Sequence, residues 1–272
     1  MGIFNTLFTT SEKVVTKPTY NFLVVAALQE ELNDFYKLSK SFTKKIPRVG
    51  GAFEIGYISN GNEIKILTYT PNKMGMPFNA AALMKIISLH DPIYTIMIGT
   101  CACIAKEHKL GDVLIPDRVF SYESGKYEKG VFKPDYASFP TGEGLRKQAE
   151  LLKSMISDKI NFNVTTDEDF CSGGAVVNDL EISKDIISLC GRKLSGLDME
   201  AYSIACINHV LQGDKELLVI KGISDYAKDK SEAESTGNKN LAKANSAKFA
   251  YELIKHLQNS IFSQTKVTIK SS

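Results

Sequence analysis

Three stretches of nearly uninterrupted apolar residues constrain the fold more than any other feature of the sequence: NFLVVAA (21–27), PIYTIMIGT (92–100) and ELLVIKGISD (216–225). Each contains β-branched residues, and none approaches the ~20 residues that a membrane helix needs. Short runs of this kind read as strands buried on both faces, and such strands need helices above and below them. The rest of the chain supplies those helices. MPFNAAALMKIISLH (76–90) has Pro near its first turn, and TGEGLRKQAELLKSMISD (141–158) has Thr141 in position to cap it. SKDIISLCGRK (183–193) is a further helix, and AYSIACINHVL (201–211) is apolar on nearly every side, as a buried helix must be. NKNLAKANSAKFAYELIKHLQNSIF (238–262) is a long amphipathic one. AFEIGYI and EIKILTYT alternate in polarity around SNGN, a hairpin signal. GDVLIP (111–116) and DEDFCSGGAVV (167–177) add short strands. The expected fold is α/β: a central mixed, mostly parallel sheet flanked by helices.

No repeat or Pro/Gly/Ser linker divides the 272 residues. We expect one domain over residues 20–262, with an N-terminal segment (1–19) and a C-terminal tail (263–272) outside it. Ile3, Phe4, Leu7 and Phe8 follow helical spacing. They suggest a short helix that packs on the body or docks on a protein partner or a second subunit.

Net charge is +2 and no block of like charge occurs, so no nucleic-acid surface is expected. No membrane segment is expected either, and the first 20 residues lack the basic start and apolar run of a secretory leader. The five cysteines are odd in number and scattered, which suits reduced thiols in the cytoplasm. Cys101 and Cys103 have no second Cys or His pair at zinc spacing, so neither metal nor cofactor is expected.

In parallel sheets, ligands bind at the carboxyl ends of the strands. The segments there are AALQEEL with Glu30 and Glu31, GTCACI, SGGAVV, LDMEA and SDYA with Ser224 and Asp225. Acids recur among them. Asp198 and Glu200 lie two positions apart amid apolar neighbours, where unpaired carboxylates are costly.

With VVAALQEEL, MIGTCACI followed by LGDVLIPD, GLDMEAYSIA and VIKGISDYA, the chain resembles the nucleoside phosphorylase superfamily over roughly residues 21–258. It is most similar to the hydrolytic branch typified by 5'-methylthioadenosine/S-adenosylhomocysteine nucleosidase. The resemblance implies a nucleoside phosphorylase-like fold, a purine nucleoside or nucleotide substrate and a homodimer or higher homo-oligomer. It also implies roles. Glu31 activates the attacking water and Asp225 protonates the purine at ring position 7, with Ser224 beside it. Glu200 holds the ribose hydroxyls, and Met199 packs on the sugar. Ala175, Val176 and Val177 hold the base. Thr100, Cys101 and Ala102 form the turn beneath base and sugar. Met74 and Gly75 belong to a loop next to the ribose, while Asp198 is structural.

The chemistry agrees with those roles. Cleaving an N-glycosidic bond builds positive charge on the sugar and negative charge on the leaving purine. General acid assistance relieves the second charge and contributes ~10²–10⁴-fold. A carboxylate near the sugar stabilises the first, as in glycosidases.

Phosphorylases need cations around the attacking phosphate. Where the resembling phosphorylases carry Arg, this chain has Met97, and AALQEE puts acids where their phosphate loop lies. Carboxylates there repel a phosphate, so water is the expected nucleophile. Two alternatives stand beside hydrolysis: a phosphate-dependent purine nucleoside phosphorylase, and a non-catalytic nucleotide sensor on the same fold. Relatives usually have Gly at the position of Ala102 and often an aromatic at that of Val176. SYESGKYEKG (121–130) resembles the phosphorylase-like effector domains of bacterial signalling and anti-phage systems, some of which act on ATP or AMP. In that case Arg48 and Lys126 are the expected phosphate contacts.

Overall fold

The computed structural model describes residues 20–38, 42–45, 53–59, 62–105, 107–135, 137–211, 215–228 and 237–270. The N-terminal segment and Arg48 lie outside the described residues. The chain opens with β1 (Phe22–Val25), α1 (Gln29–Leu38), β2 (Phe42–Lys45), β3 (Phe53–Ser59), β4 (Asn62–Tyr69) and α2 (Met76–His90). It continues through β5 (Tyr94–Cys103), β6 (Val113–Leu114), β7 (Arg118–Ser121), β8 (Gly125–Glu128), β9 (Val131–Pro134), β10 (Ser138–Pro140) and α3 (Glu143–Ile156). Then follow β11 (Val164–Thr165), β12 (Asp169–Ser172), α4 (Leu180–Cys190), β13 (Leu194–Asp198), α5 (Ala201–Leu211), β14 (Glu216–Asp225) and α6 (Asn238–Lys270).

The three apolar runs become β1, β5 and β14, and they lie side by side. β5 pairs in parallel with β1 on one edge and with β14 on the other. The sheet is mixed: β3 runs antiparallel to β4, the expected hairpin, and β13 runs antiparallel to the end of β5. β8 and β9 form a separate two-stranded ribbon.

Successive residues of a strand point to opposite faces, and the central strands use both. Phe22, Val24, Ile96, Ile98 and Ile220 pack with Phe35 of α1, Leu152 of α3 and Phe249 and Leu253 of α6. Their neighbours Leu23, Val25, Met97, Leu217 and Val219 pack on the other side with Leu83 and Ile86 of α2 and Ile204 and Ile207 of α5. Burial on both faces is why these segments show no polar alternation. No helix among the described residues is long and apolar enough to cross a membrane.

Two local expectations need correction. Thr141 does not cap α3: its hydroxyl donates to the Pro116 carbonyl at 2.6 Å. The helix start is satisfied from a distance instead, because the Glu216 carboxylate, at the first residue of β14, accepts from the Gly144 and Leu145 amides at 2.9 and 2.8 Å. The final helix also runs on to Lys270 rather than stopping at Phe262. No Pro or Gly occurs over residues 263–270 to end it.

Candidate active site

A cavity of ≈ 290 Å³ opens where the strands end. Its wall is drawn from segments distant in sequence: Glu31 after β1, Met74 after β4, Thr100, Cys101 and Ala102 of β5, Val176 after β12, Met199 and Glu200 after β13, and Ser224 and Asp225 closing β14. Ala175 and Val177 do not reach this cavity. They line a small side pocket of ≈ 30 Å³ that shares Ala102, Val176 and Met199 with it. Tyr122 closes that pocket and donates from its hydroxyl to the Ala175 carbonyl at 2.8 Å.

Glu31 stands in the first turn of α1 and is buried. One carboxylate oxygen accepts from the Thr100 amide at 3.2 Å and the other from the Leu28 amide at 3.1 Å. Both amides hold the carboxylate against β5, and only glycine permits that approach. A Cβ on Gly99, whose φ is +149°, would lie 2.5 Å from Glu31 Oε1. Burial pushes the Glu31 carboxyl up from its ordinary value, with the Lys221 ammonium pulling against it. A carboxylate raised in this way is a stronger base.

Asp225 owes its position to an irregularity. β14 and β5 stay in register to Ile223 and Cys101, then slip so that Asp225 faces Ala102. An extra residue of this kind re-aims the side chains around it. The Ser224 hydroxyl lies 3.1 Å from the Cys101 carbonyl and 2.8 Å from Asp225 Oδ2, and the Ala227 amide donates to Oδ1 at 2.9 Å. The carboxyl is thus held from both sides at the cavity wall.

The paired acids at the end of β13 and just beyond it divide their tasks. Asp198 ties the frame together: it accepts from the Ser172 hydroxyl at 2.6 Å and from the Ala201 amide, at the start of α5, at 3.0 Å. Glu200 is buried at the cavity and accepts from the Gly75 amide at 3.1 Å. Gly75 does not line the cavity. It positions Glu200 from the loop before α2 with φ at 103°, a conformation that costs glycine little.

These acids surround a cation that the sequence reading passed over. Lys221 is 1% exposed in the middle of β14. Its ammonium lies 3.1 Å from Asp198 and 3.5 Å from Glu200. Burial alone would lower its pKa, but Asp198, Glu200 and Glu31 together lift it well above the ordinary lysine value. Burial raises Glu200 too, and Lys221 opposes the rise. The site is therefore a compensated cluster, with one buried ammonium holding the negative charge of its neighbours in place.

The fold and this arrangement can be set beside known proteins. The profile of the phosphorylase superfamily matches residues 21–257, nearly the whole described body of the chain. The chain belongs to the phosphorylase superfamily. Among curated members, the chain is similar to the 5'-methylthioadenosine/S-adenosylhomocysteine nucleosidase of Buchnera aphidicola subsp. Schizaphis graminum. The two are 26% identical over 88% of this chain and 98% of that enzyme. An uncharacterized protein of Sinorhizobium fredii is 27% identical over 80% of this chain, which spans only 57% of that protein's length. Among solved structures, the futalosine hydrolase of Helicobacter pylori superposes with a TM-score of 0.69 at 18% identity, covering 88% of this chain and 97% of that one.

Within the superfamily fold, Met97 lies with its side chain in the core between the sheet and α2, away from the cavity. Lys126 is not among the residues that line the cavity. It stands on β8, 72% exposed, beside Glu128. Lys239, near the start of α6, does line the cavity. Nothing in NKNLAKAN distinguishes it from any other lysine of an amphipathic helix; only the return of α6 to the ends of β5 and β14 brings it there.

Proposed function

We propose that the protein is a purine nucleosidase that hydrolyses the N-glycosidic bond of an adenine nucleoside or nucleotide. One observation carries the reading: Glu31, Glu200 and Asp225, remote in sequence, line one cavity, each held by named hydrogen-bond donors. Asp225 passes a proton to purine ring position 7 as the bond to the sugar breaks. Glu31 takes a proton from the water whose oxygen bonds to the anomeric carbon. Glu200 accepts from the ribose hydroxyls and, with Glu31, offsets positive charge on the sugar. Met199 and Val176 pack on the sugar and the base. The products are free adenine and the free sugar or sugar phosphate.

Water as the nucleophile is supported by the charge distribution. The Glu31 carboxylate at the cavity wall repels a dianion, Lys221 is already engaged by acids, and Met97 is buried in the core, so that among the described residues Lys239 is the cavity-lining cation that remains. The experiment is base release from adenosine, methylthioadenosine, AMP, ATP and inosine, with and without orthophosphate. Release is expected to be independent of phosphate. Ribose 1-phosphate among the products would overturn hydrolysis in favour of phosphorolysis, and base release from none of the panel would favour the sensor alternative. The similarity of residues 121–130 to effector domains of signalling and anti-phage systems supports keeping AMP and ATP on that panel.

The reading includes a homodimer in the cytoplasm. α2 exposes Phe78 and Leu89, and α5, packed beside it, exposes Val210. Exposed apolar residues on neighbouring helices suit an interface between copies. Light scattering at micromolar concentration should return twice the chain mass; the mass of a single chain would contradict it.

A further inference from the structure

Among the described residues, Lys239 has one charged partner, and that partner is shared. Its ammonium lies 3.2 Å from Glu30 Oε1, while the Lys243 ammonium, one helical turn on, lies 3.6 Å from Oε2. Among the described residues, two cations against one half-exposed carboxylate leave a positive charge without an ion-pair partner of its own where Lys239 borders the cavity. Lys221 does not share this surplus, because Asp198 and Glu200 engage it.

A nucleoside offers such a cation neutral acceptors and no counter-charge. Adenine presents neutral donors and acceptors, and the ribose hydroxyls are neutral. An apolar 5' substituent would desolvate the ammonium without replacing its hydration. A phosphoryl group does the opposite, through charge-assisted hydrogen bonds. Resting on the nucleosidase reading above, we propose that Lys239, backed by Lys243, binds the 5'-phosphoryl group of the substrate, which is therefore an adenine nucleotide. Free orthophosphate is the other source of that chemistry. To attack the anomeric carbon it would have to lie against the Glu31 carboxylate, which repels a dianion.

The test compares kcat/KM for AMP, ATP, adenosine and methylthioadenosine in the full chain and in Lys239→Ala and Lys239→Arg, with an orthophosphate arm. The wild-type chain should favour AMP or ATP over adenosine by roughly tenfold or more, the scale of one charge-assisted contact. Lys239→Ala should reduce that ratio by a similar factor, and Lys239→Arg should retain most of it. A wild-type preference for the uncharged nucleosides, or a ratio untouched by Lys239→Ala, overturns the proposal. So does adenosine cleavage that orthophosphate stimulates in the wild type and not in Lys239→Ala. If no base is released from any compound, the nucleosidase reading fails by itself, and calorimetry still decides the phosphate contact. AMP bound more tightly than adenosine, and loosened by Lys239→Ala, supports it; equal affinities overturn it.

Discussion

Asp225→Asn is expected to slow single-turnover base release by about 10²-fold or more while the protein still binds its substrate. The local structure explains why the two effects should separate. The Ala227 amide donates to one oxygen of Asp225, and the Ser224 hydroxyl lies between the other oxygen and the Cys101 carbonyl. An asparagine can keep this pattern: its oxygen still accepts from Ala227, and its amide donates to a Ser224 hydroxyl turned toward Cys101. The second amide hydrogen remains for a purine nitrogen. What is lost is a proton that can be transferred, so the deficit falls on the chemical step, about 2.7 kcal/mol for a 10²-fold loss. Glu200→Gln provides the contrast. In the mechanism proposed above its carboxylate faces the sugar in ground and transition states alike, so binding should weaken along with turnover. Calorimetry set beside single-turnover release separates the two patterns. If Asp225→Asn releases base at a near wild-type rate, Asp225 is not the general acid.

The sequence made the sheet legible because both sides of its central strands are buried: β1, β5 and β14 had to be apolar over most of their length, and their β-branched residues favour strands. The acids were legible for the opposite reason. Glu31, Glu200 and Asp225 sit at strand ends, where a charge among apolar residues needs an explanation. Lys221 offered the same clue and was passed over, because one lysine inside an apolar run looks like an interruption. Its partners Asp198 and Glu200 lie 23 and 21 positions away, across a helix. Long-range capping was equally illegible. Thr141 fits the local rule for a helix cap, but Glu216, brought in by sheet packing, satisfies the amides that such a cap would serve. Lys239 reaches the cavity only through the path of α6, which no local pattern records.

Lys221→Met should cost more stability than a single packing change of that size. Methionine matches the length of the lysine stem but leaves Asp198, Glu200 and Glu31 without the ammonium that offsets them. Removing one partner of a buried ion pair typically costs about 3–5 kcal/mol, which in a domain of this size lowers the thermal midpoint on the order of 10 °C. The pH dependence distinguishes charge from packing. Burial already raises the carboxyls of Glu31 and Glu200, and without Lys221 nothing of like strength opposes it. A carboxyl whose pKa is higher folded than unfolded favours the fold fully below its unfolded value, 4.5 for glutamate, and that contribution is lost as pH climbs through the folded value. The gap between variant and wild type should therefore narrow as pH falls from about 8 toward 5. Lys221→Arg, which keeps the charge, should show a smaller loss and little of this pH dependence. Thermal midpoints of the three proteins across that range are the measurement. A deficit in Lys221→Met that does not change with pH would mean that the stem's packing, and not the compensation of three buried acids, is what Lys221 contributes.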